Sequence, residues 1–189
     1  MITLGSHAPH FQYPPLPGLR LFRPRIFRDE RGTFVKTYHR PTFDLEGMEF
    51  DSQEEFYSTS NCGVIRGMHF QIPDCAHAKV VTCLRGRILD VVVDLRRDAP
   101  TFGQHWSVVL GAVDPAVFYI PVGFAHGFLA LEPDALVHYR CTTPYSREHD
   151  RGIRWDSFGY NWPETNPIMS ARDRALPSLA EFDSPFHAA

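Results

Sequence analysis

Residues 79–96 read KVVTCLRGRILDVVVDLR, two apolar runs that meet at Arg85-Gly86. Both runs are rich in β-branched residues, so the stretch predicts two strands. Successive side chains of a strand point to opposite faces. Leu89, Val91, Val93 and Leu95 therefore share one face of the second run, and Ile88, Asp90, Val92 and Asp94 share the other. Asp94 stands near the strand end and reads as solvated. Asp90 lies between Ile88 and Val92, so its face reads as partly buried. A buried carboxylate needs a partner. Two readings stay open for it: a structural salt bridge or turn bond, or a carboxylate that orients and charges a histidine.

The same rhythm extends in both directions. LRLFRPRIF (19–27) and GTFVKTYH (32–39) flank RDER and predict a hairpin, while PTFDLEGM (41–48) is at most a short helix. HWSVVLG (105–111), AVFYIP (116–121), HGFLALE (126–132) and ALVHYRCTT (135–143) are further strands, each bounded by Gly, Pro or Asp. From about Asp150 the rhythm gives way to a Pro- and Trp-rich segment, in which SARDRAL (170–176) predicts a helical turn capped by Ser170. Sixteen prolines and thirteen glycines punctuate the strands. No repeat and no linker interrupts them, so residues 1–189 read as a single domain. Seven or more short strands with little helix predict an all-β jelly roll with short helices near the C-terminus.

A chain of 189 residues with 43% hydrophobic content is long enough to bury a sizeable core. Its net charge of −3 gives no reason to expect nucleic acid or an anionic membrane as partner. No apolar run approaches the roughly 20 residues that span a bilayer. MITLGSHAPHFQYPP, at the start, lacks the charged and apolar regions of a signal peptide. Cys62, Cys75, Cys83 and Cys141 form no CxxC pair and no zinc ladder, and they read as reduced thiols in a cytoplasm.

GVIRGMHFQIPDCAHAK, residues 63–79, sets Arg66, His69 and Lys79 among residues that belong in a sheet. Either they face solvent or they line a pocket for something anionic. In an unbroken strand Arg66 and His69 point to opposite faces; a bulge at Gly67 brings both to one cavity. His126 follows the Pro121-x-Gly123 turn of IPVGFAHGF. That motif is half of the metal-binding signature of cupins, which are small jelly rolls. The other half needs Gly, five residues, then His-x-His. Gly63 and His69 have the spacing, but Gln71 replaces the second histidine and no glutamate follows. Two imidazoles make a poor transition-metal site, so the expectation is a cupin-type pocket without metal or other cofactor, its histidines free to move protons. Tyr139 shares a strand face with Val137 and Cys141, and alone it reads as a core tyrosine. Taken together, these residues supply an imidazole base, a phenolic acid, an ammonium for an oxyanion and carboxylates to orient them.

DERGTF, GVIRGMHFQ, KVVTC, LDVVVDLR, APTFG, IPVGFAHGF and YRCTTPYS together closely resemble the dTDP-4-dehydrorhamnose 3,5-epimerases, in register from about Arg20 to about Leu179. The resemblance implies a metal-free cupin jelly roll (a double-stranded β-helix), a homodimer, and an isomerase that inverts C3, C5 or both of a nucleotide-linked 4-keto-6-deoxy sugar through an enolate. By the same resemblance His69 matches the base and Asp173 the acidic residue near it. Tyr139 matches the acid on the opposite face and Lys79 the lysine near the sugar C4 oxygen. His126 and Asp90 match a pair beside the sugar. Arg31 and Arg66 match substrate-holding residues, and Arg172 a basic position there. Tyr145 matches the aromatic that stacks on the base, and Asp150 stands where the family has glutamate.

Three positions depart from the family at what the resemblance makes the nucleoside end: Lys36, Glu54 and Phe56, where the family has glutamate, glutamine and asparagine. They open an alternative, a 3- or 5-epimerase of a CDP- or GDP-linked sugar. A non-catalytic sugar-nucleotide binding cupin, a metal-dependent cupin oxygenase and a ketoisomerase are the competing classes. The sequence leaves the sugar and the pathway open.

Overall fold

The computed structural model describes residues 3–4, 8–48 and 50–188; the rest of the N-terminal stretch read for a signal peptide, residues 1–2 and 5–7, lies outside them. In chain order the elements are β1 (Thr3–Leu4), β2 (His10–Gln12), β3 (Arg20–Arg23), β4 (Ile26–Asp29), β5 (Gly32–Val35), helix α1 (Arg40–Asp44), β6 (Glu54–Ser60), β7 (Ile65–Gln71) and β8 (Lys79–Arg85). There follow β9 (Arg87–Asp94), β10 (His105–Gly111), β11 (Val117–Ile120), β12 (Phe124–Ala130), β13 (Ala135–Cys141), β14 (Asp150–Gly152), helix α2 (Ala171–Arg174) and a 3-10 turn, Leu179–Glu181. They form a five-stranded sheet, β10-β9-β12-β7-β14, a six-stranded sheet, β2-β3-β11-β8-β13-β6, and a small sheet, β1-β4-β5. Every ladder within the three sheets is antiparallel.

The two apolar runs of the opening stretch are β8 and β9, and they belong to different sheets. Only Gly86 separates them, so the chain crosses from one layer to the other at that point. Residues from both layers fill the space between them: Val81 and Cys83 of β8, Ile88 and Val92 of β9, Phe118 of β11, Phe128 of β12 and Val137 of β13 are all buried there. The alternate residues of β9, Val91 and Val93, are buried on the outer face instead, beneath Ile153, Phe158, Trp162 and Phe186 of the C-terminal segment. The outer face of the six-stranded sheet is covered in turn by Phe43, Met48 and Phe50. Both faces of β9 are therefore dry, which is why it reads as a nearly continuous apolar run.

Asp94, expected to be solvated, is fully buried. Arg96 folds back onto it with its Nη2 2.6 Å from Oδ2, and the Thr101 hydroxyl donates to the same oxygen at 2.6 Å. The strand ends there, but the turn that follows it closes over the carboxylate. The expected hairpin is β4 and β5, and the expected short helix is α1, which opens with Pro41 in its first turn. Ser170 caps α2 as read, its Oγ accepting from the Asp173 N–H at 3.0 Å.

Candidate active site

The space between the two sheets is apolar except at one end. At that end β7 turns polar side chains inward. Opposite β12, His126 pairs with His69 and Phe128 with Arg66, so three steps on β7 match two on β12. This is a bulge, and it makes both Arg66 and His69 line the cavity while Met68 packs outward. Gly67 has φ 149°, and a Cβ there would stand 2.6 Å from the Gly127 Cα, so only glycine fits. The glycine flagged in the sequence is what brings Arg66 and His69 to one face.

The cavity has a volume of about 570 Å³. Arg66, His69, Lys79, His126, Tyr139, Arg172 and Asp173 all line it. An adjoining lobe of about 170 Å³ shares Phe56, His69, Lys79 and Arg172 with it and adds Glu54, Tyr145 and Asp150. Lys36 and Arg31 border neither space. Arg31 lies at the tip of the β4–β5 hairpin, 82% exposed, with its guanidinium on Asp29 at 2.6 Å. Lys36 is exposed just after β5.

Two carboxylate–histidine pairs organise the site. His69 Nε2 is 2.8 Å from Asp173 Oδ1. A carboxylate can only accept, so it holds the imidazole proton on Nε2 and leaves Nδ1 with the lone pair. Burial pushes Asp173 up, but the bond and charge of His69 outweigh it, with a further contribution from the Gly67 N–H, and leave its pKa below the usual carboxylate value. The second pair answers the question of Asp90. His126 Nε2 lies 3.0 Å from each Asp90 oxygen, with both residues buried. Burial raises Asp90, opposed by His126 and by Lys79.

Tyr139 is 7% exposed and stands edge-on to His126, ring centroids 6.2 Å apart at 67°. Burial pushes its phenol well above the usual range and Asp90 adds to this, so the group holds its proton. Lys79 is not the solvated strand end of the simplest reading. It shares the inward face of β8 with Val81, its Nζ donates to the His69 carbonyl at 3.3 Å, and burial lowers its pKa.

The remaining cations are tied in place. Arg66 Nε donates to Ser60 Oγ at 3.0 Å and its Nη2 to the Thr59 carbonyl at 2.9 Å. Arg172 sits 2.7 Å from Asp150, which also accepts from the Tyr145 hydroxyl at 3.3 Å. Two of the three departures from the family, Glu54 and Phe56, border the lobe that also holds Tyr145. Phe56 is stacked on Tyr139, centroids 4.7 Å apart at 16°. Glu54 accepts from the Tyr145 backbone N–H at 2.6 Å. Gln71, where a cupin metal site has histidine, is 3% exposed and acts as a tie: its Oε1 accepts from the Ser146 N–H and its Nε2 donates to the Cys75 carbonyl at 2.8 Å. Among the described residues no three His, Cys, Asp or Glu side chains converge as ligands for a metal. Ser60, which orients Arg66, was missed by the sequence reading; no local signal marks it, because the contact spans two strands.

The fold and site define a jelly-roll protein with an acid–base cavity for an anionic, oxygen-rich ligand. The sequence model described as dTDP-4-dehydrorhamnose 3,5-epimerase matches residues 14–181. The chain is 39% identical over 181 residues to the dTDP-4-dehydrorhamnose 3,5-epimerase of Sinorhizobium fredii, covering 94% of this chain and 93% of that one. It is 43% identical over 161 residues to the enzyme of the same name from Mycolicibacterium smegmatis, covering 84% and 80%. The crystal structure of dTDP-6-deoxy-D-glucose-3,5-epimerase from Legionella pneumophila, in complex with dTDP-4-keto-L-rhamnose, superposes with a TM-score of 0.91 at 32% identity, over 96% of this chain and all of that one. The chain belongs to the dTDP-4-dehydrorhamnose 3,5-epimerase family.

Proposed function

We propose that this chain inverts C3 and C5 of a dTDP-linked 4-keto-6-deoxy sugar through enolate intermediates. One observation carries the reading. The base, His69, comes from β7 of the five-stranded sheet, and the acid, Tyr139, from β13 of the six-stranded sheet, and both line one cavity. Inversion at carbon needs a proton removed from one face and returned to the other, and two facing sheets supply opposite faces.

The C4 carbonyl acidifies the hydrogens on C3 and C5. His69 Nδ1 takes one of them, and Asp173 stabilises the imidazolium that forms. Negative charge moves onto the C4 oxygen, where the Lys79 Nζ–H donates to it. Tyr139 then gives its proton to the carbon from the opposite face. His69 now holds one proton too many and Tyr139 one too few, and exchange with solvent resets both. Arg66 and Arg172 bind the diphosphate, and Tyr145, 60% exposed, offers a face to the pyrimidine.

Relatives 36–43% identical over most of the chain are named for a dTDP-linked sugar, which favours dTDP over CDP or GDP. Arg31 binds substrate only if the hairpin extends into the cavity of a second copy, and this joins the expected homodimer to the expected role of Arg31. The absence of any need for disulfides fits a cytoplasmic enzyme.

The test is NMR in D2O with the 4-keto-6-deoxyglucose of dTDP, CDP and GDP side by side. Label at C3 and C5 with inversion, fastest with dTDP, is expected. Label at one carbon only, or a preference for CDP or GDP, contradicts the reading.

A further inference from the structure

Phe56 has no evident role in the fold. It belongs to none of the three buried apolar clusters and is 44% exposed on the wall of a cavity that water can enter. Its position is nevertheless well defined. β6 and β13 are paired so that Phe56 lies directly opposite Tyr139, and the two rings stack nearly parallel. Aromatic partners directly across a ladder restrict each other's rotation. The Tyr139 ring meets the His126 edge as well, and His126 is itself held by two contacts to Asp90. Tyr139 is therefore held between a rigid imidazole and a ring that covers its cavity side. Phe56 also lines both the main cavity and the adjoining lobe, so it stands where water from the lobe would reach the phenol.

We propose that Phe56 is a positioning residue that clamps and dries the Tyr139 ring, so that the phenol returns its proton to the enolate before any other donor does. The proposal rests on the epimerase reading above for its consequence in catalysis. An enolate has two sources of a proton. Tyr139 delivers from the far face and inverts the centre. The His69 imidazolium, once it has exchanged with solvent, delivers from the near face and restores the original centre carrying solvent hydrogen. Holding the phenol in place favours the first outcome. Loosening it favours the second, because the His69–Asp173 bond that serves deprotonation does not involve Phe56.

The experiment has two arms. In D2O, the ratio of label incorporated with retention to label incorporated with inversion is measured for wild type, Phe56→Asn and Phe56→Tyr. Phe56→Asn is expected to raise that ratio at least fivefold at saturating substrate, where any loss of binding cancels from the ratio, and Phe56→Tyr is expected to restore it. The second arm needs no turnover. Ultraviolet difference titration follows ionisation of the Tyr139 phenol, assigned by subtracting Tyr139→Phe in each background. Without the Phe56 ring the phenol is expected to ionise at least one pH unit lower, as water gains access. The clamp is overturned if label and inversion fall together, or if Tyr139 titrates alike in wild type and Phe56→Asn. A wild type that takes up no label at all would count against the epimerase reading, and the titration would still decide the clamp.

Discussion

His126 and Asp90 are 4% and 0% exposed and lie between two packed sheets, while Arg31 is 82% exposed at the tip of a hairpin in a sheet of its own. The first region is completed by the fold of one chain: β7, β8, β12 and β13 each bring a side chain to the cavity, and each side chain has a partner that fixes it. The second region has its cation resting on Asp29 two residues away, with nothing from the cavity wall in reach. The difference separates two tasks. Proton transfer needs groups held to a fraction of an ångström, which packing between sheets provides. A cation that only adds binding from outside the cavity does not need that precision, and exposed Arg31 has no such fixing.

The largest effect that follows belongs to the packed region. His69→Ala is expected to lower kcat/KM by roughly 10³–10⁴ and to abolish solvent exchange at the sugar carbons, as measured by NMR. Wild-type exchange in that variant would move the base to another residue. At the hairpin the effect is smaller and of a different kind. Arg31→Ala is expected to raise KM by about tenfold with kcat nearly unchanged, the pattern of lost uniform binding. If the hairpin enters the cavity of a second copy, mixing it with His69→Ala at substrate below KM is expected to give more activity than the sum of the two alone, because a hybrid dimer would then contain one site with both residues intact. No gain on mixing would place Arg31 outside the site of a second copy.

The smallest effect is on stability in alkali. Burial raises the Tyr139 phenol above its ordinary value of 10.0, so the folded chain retains a proton that the unfolded chain loses. The stabilisation is complete below about pH 10 and declines as pH rises past it, by about 1.4 kcal/mol per unit. Denaturation by urea between pH 9 and 11.5 is expected to lose stability more steeply in wild type than in Tyr139→Phe, by this amount above pH 10; the buried Cys83 and Cys141 thiols, pushed up to about 11, and the Tyr119 phenol, also raised by burial, supply the decline that both share.

The strands were legible in the sequence because each is a short β-branched run closed by Gly, Pro or Asp. The bulge at Gly67 was legible for the same local reason: a glycine between two polar residues of wrong parity. Pairings across the fold were legible only through the family resemblance, which joined His126 to Asp90 and Asp173 to His69. The residue pattern alone marked Asp90 as needing a partner and went no further, because its contact depends on the β9–β12 ladder, which joins residues far apart in sequence. Asp94 was misread because its cover, Arg96 and Thr101, arrives in the turn after the strand. Phe56 was marked only as a departure from the family, and its contact with Tyr139 depends on the β6–β13 register. In each case the local pattern identified an unusual residue, and a contact between distant segments determined its role.

The central claim is that one sheet removes the proton and the other returns it. The most direct test is Tyr139→Phe in D2O with dTDP-linked 4-keto-6-deoxyglucose, following label and configuration at C3 and C5 in the same spectra. The account predicts that label still enters, with retained configuration, while inversion falls by at least a hundredfold. Loss of label and inversion in equal measure would mean that Tyr139 takes part in proton removal, and the division of labour between the two sheets would be wrong.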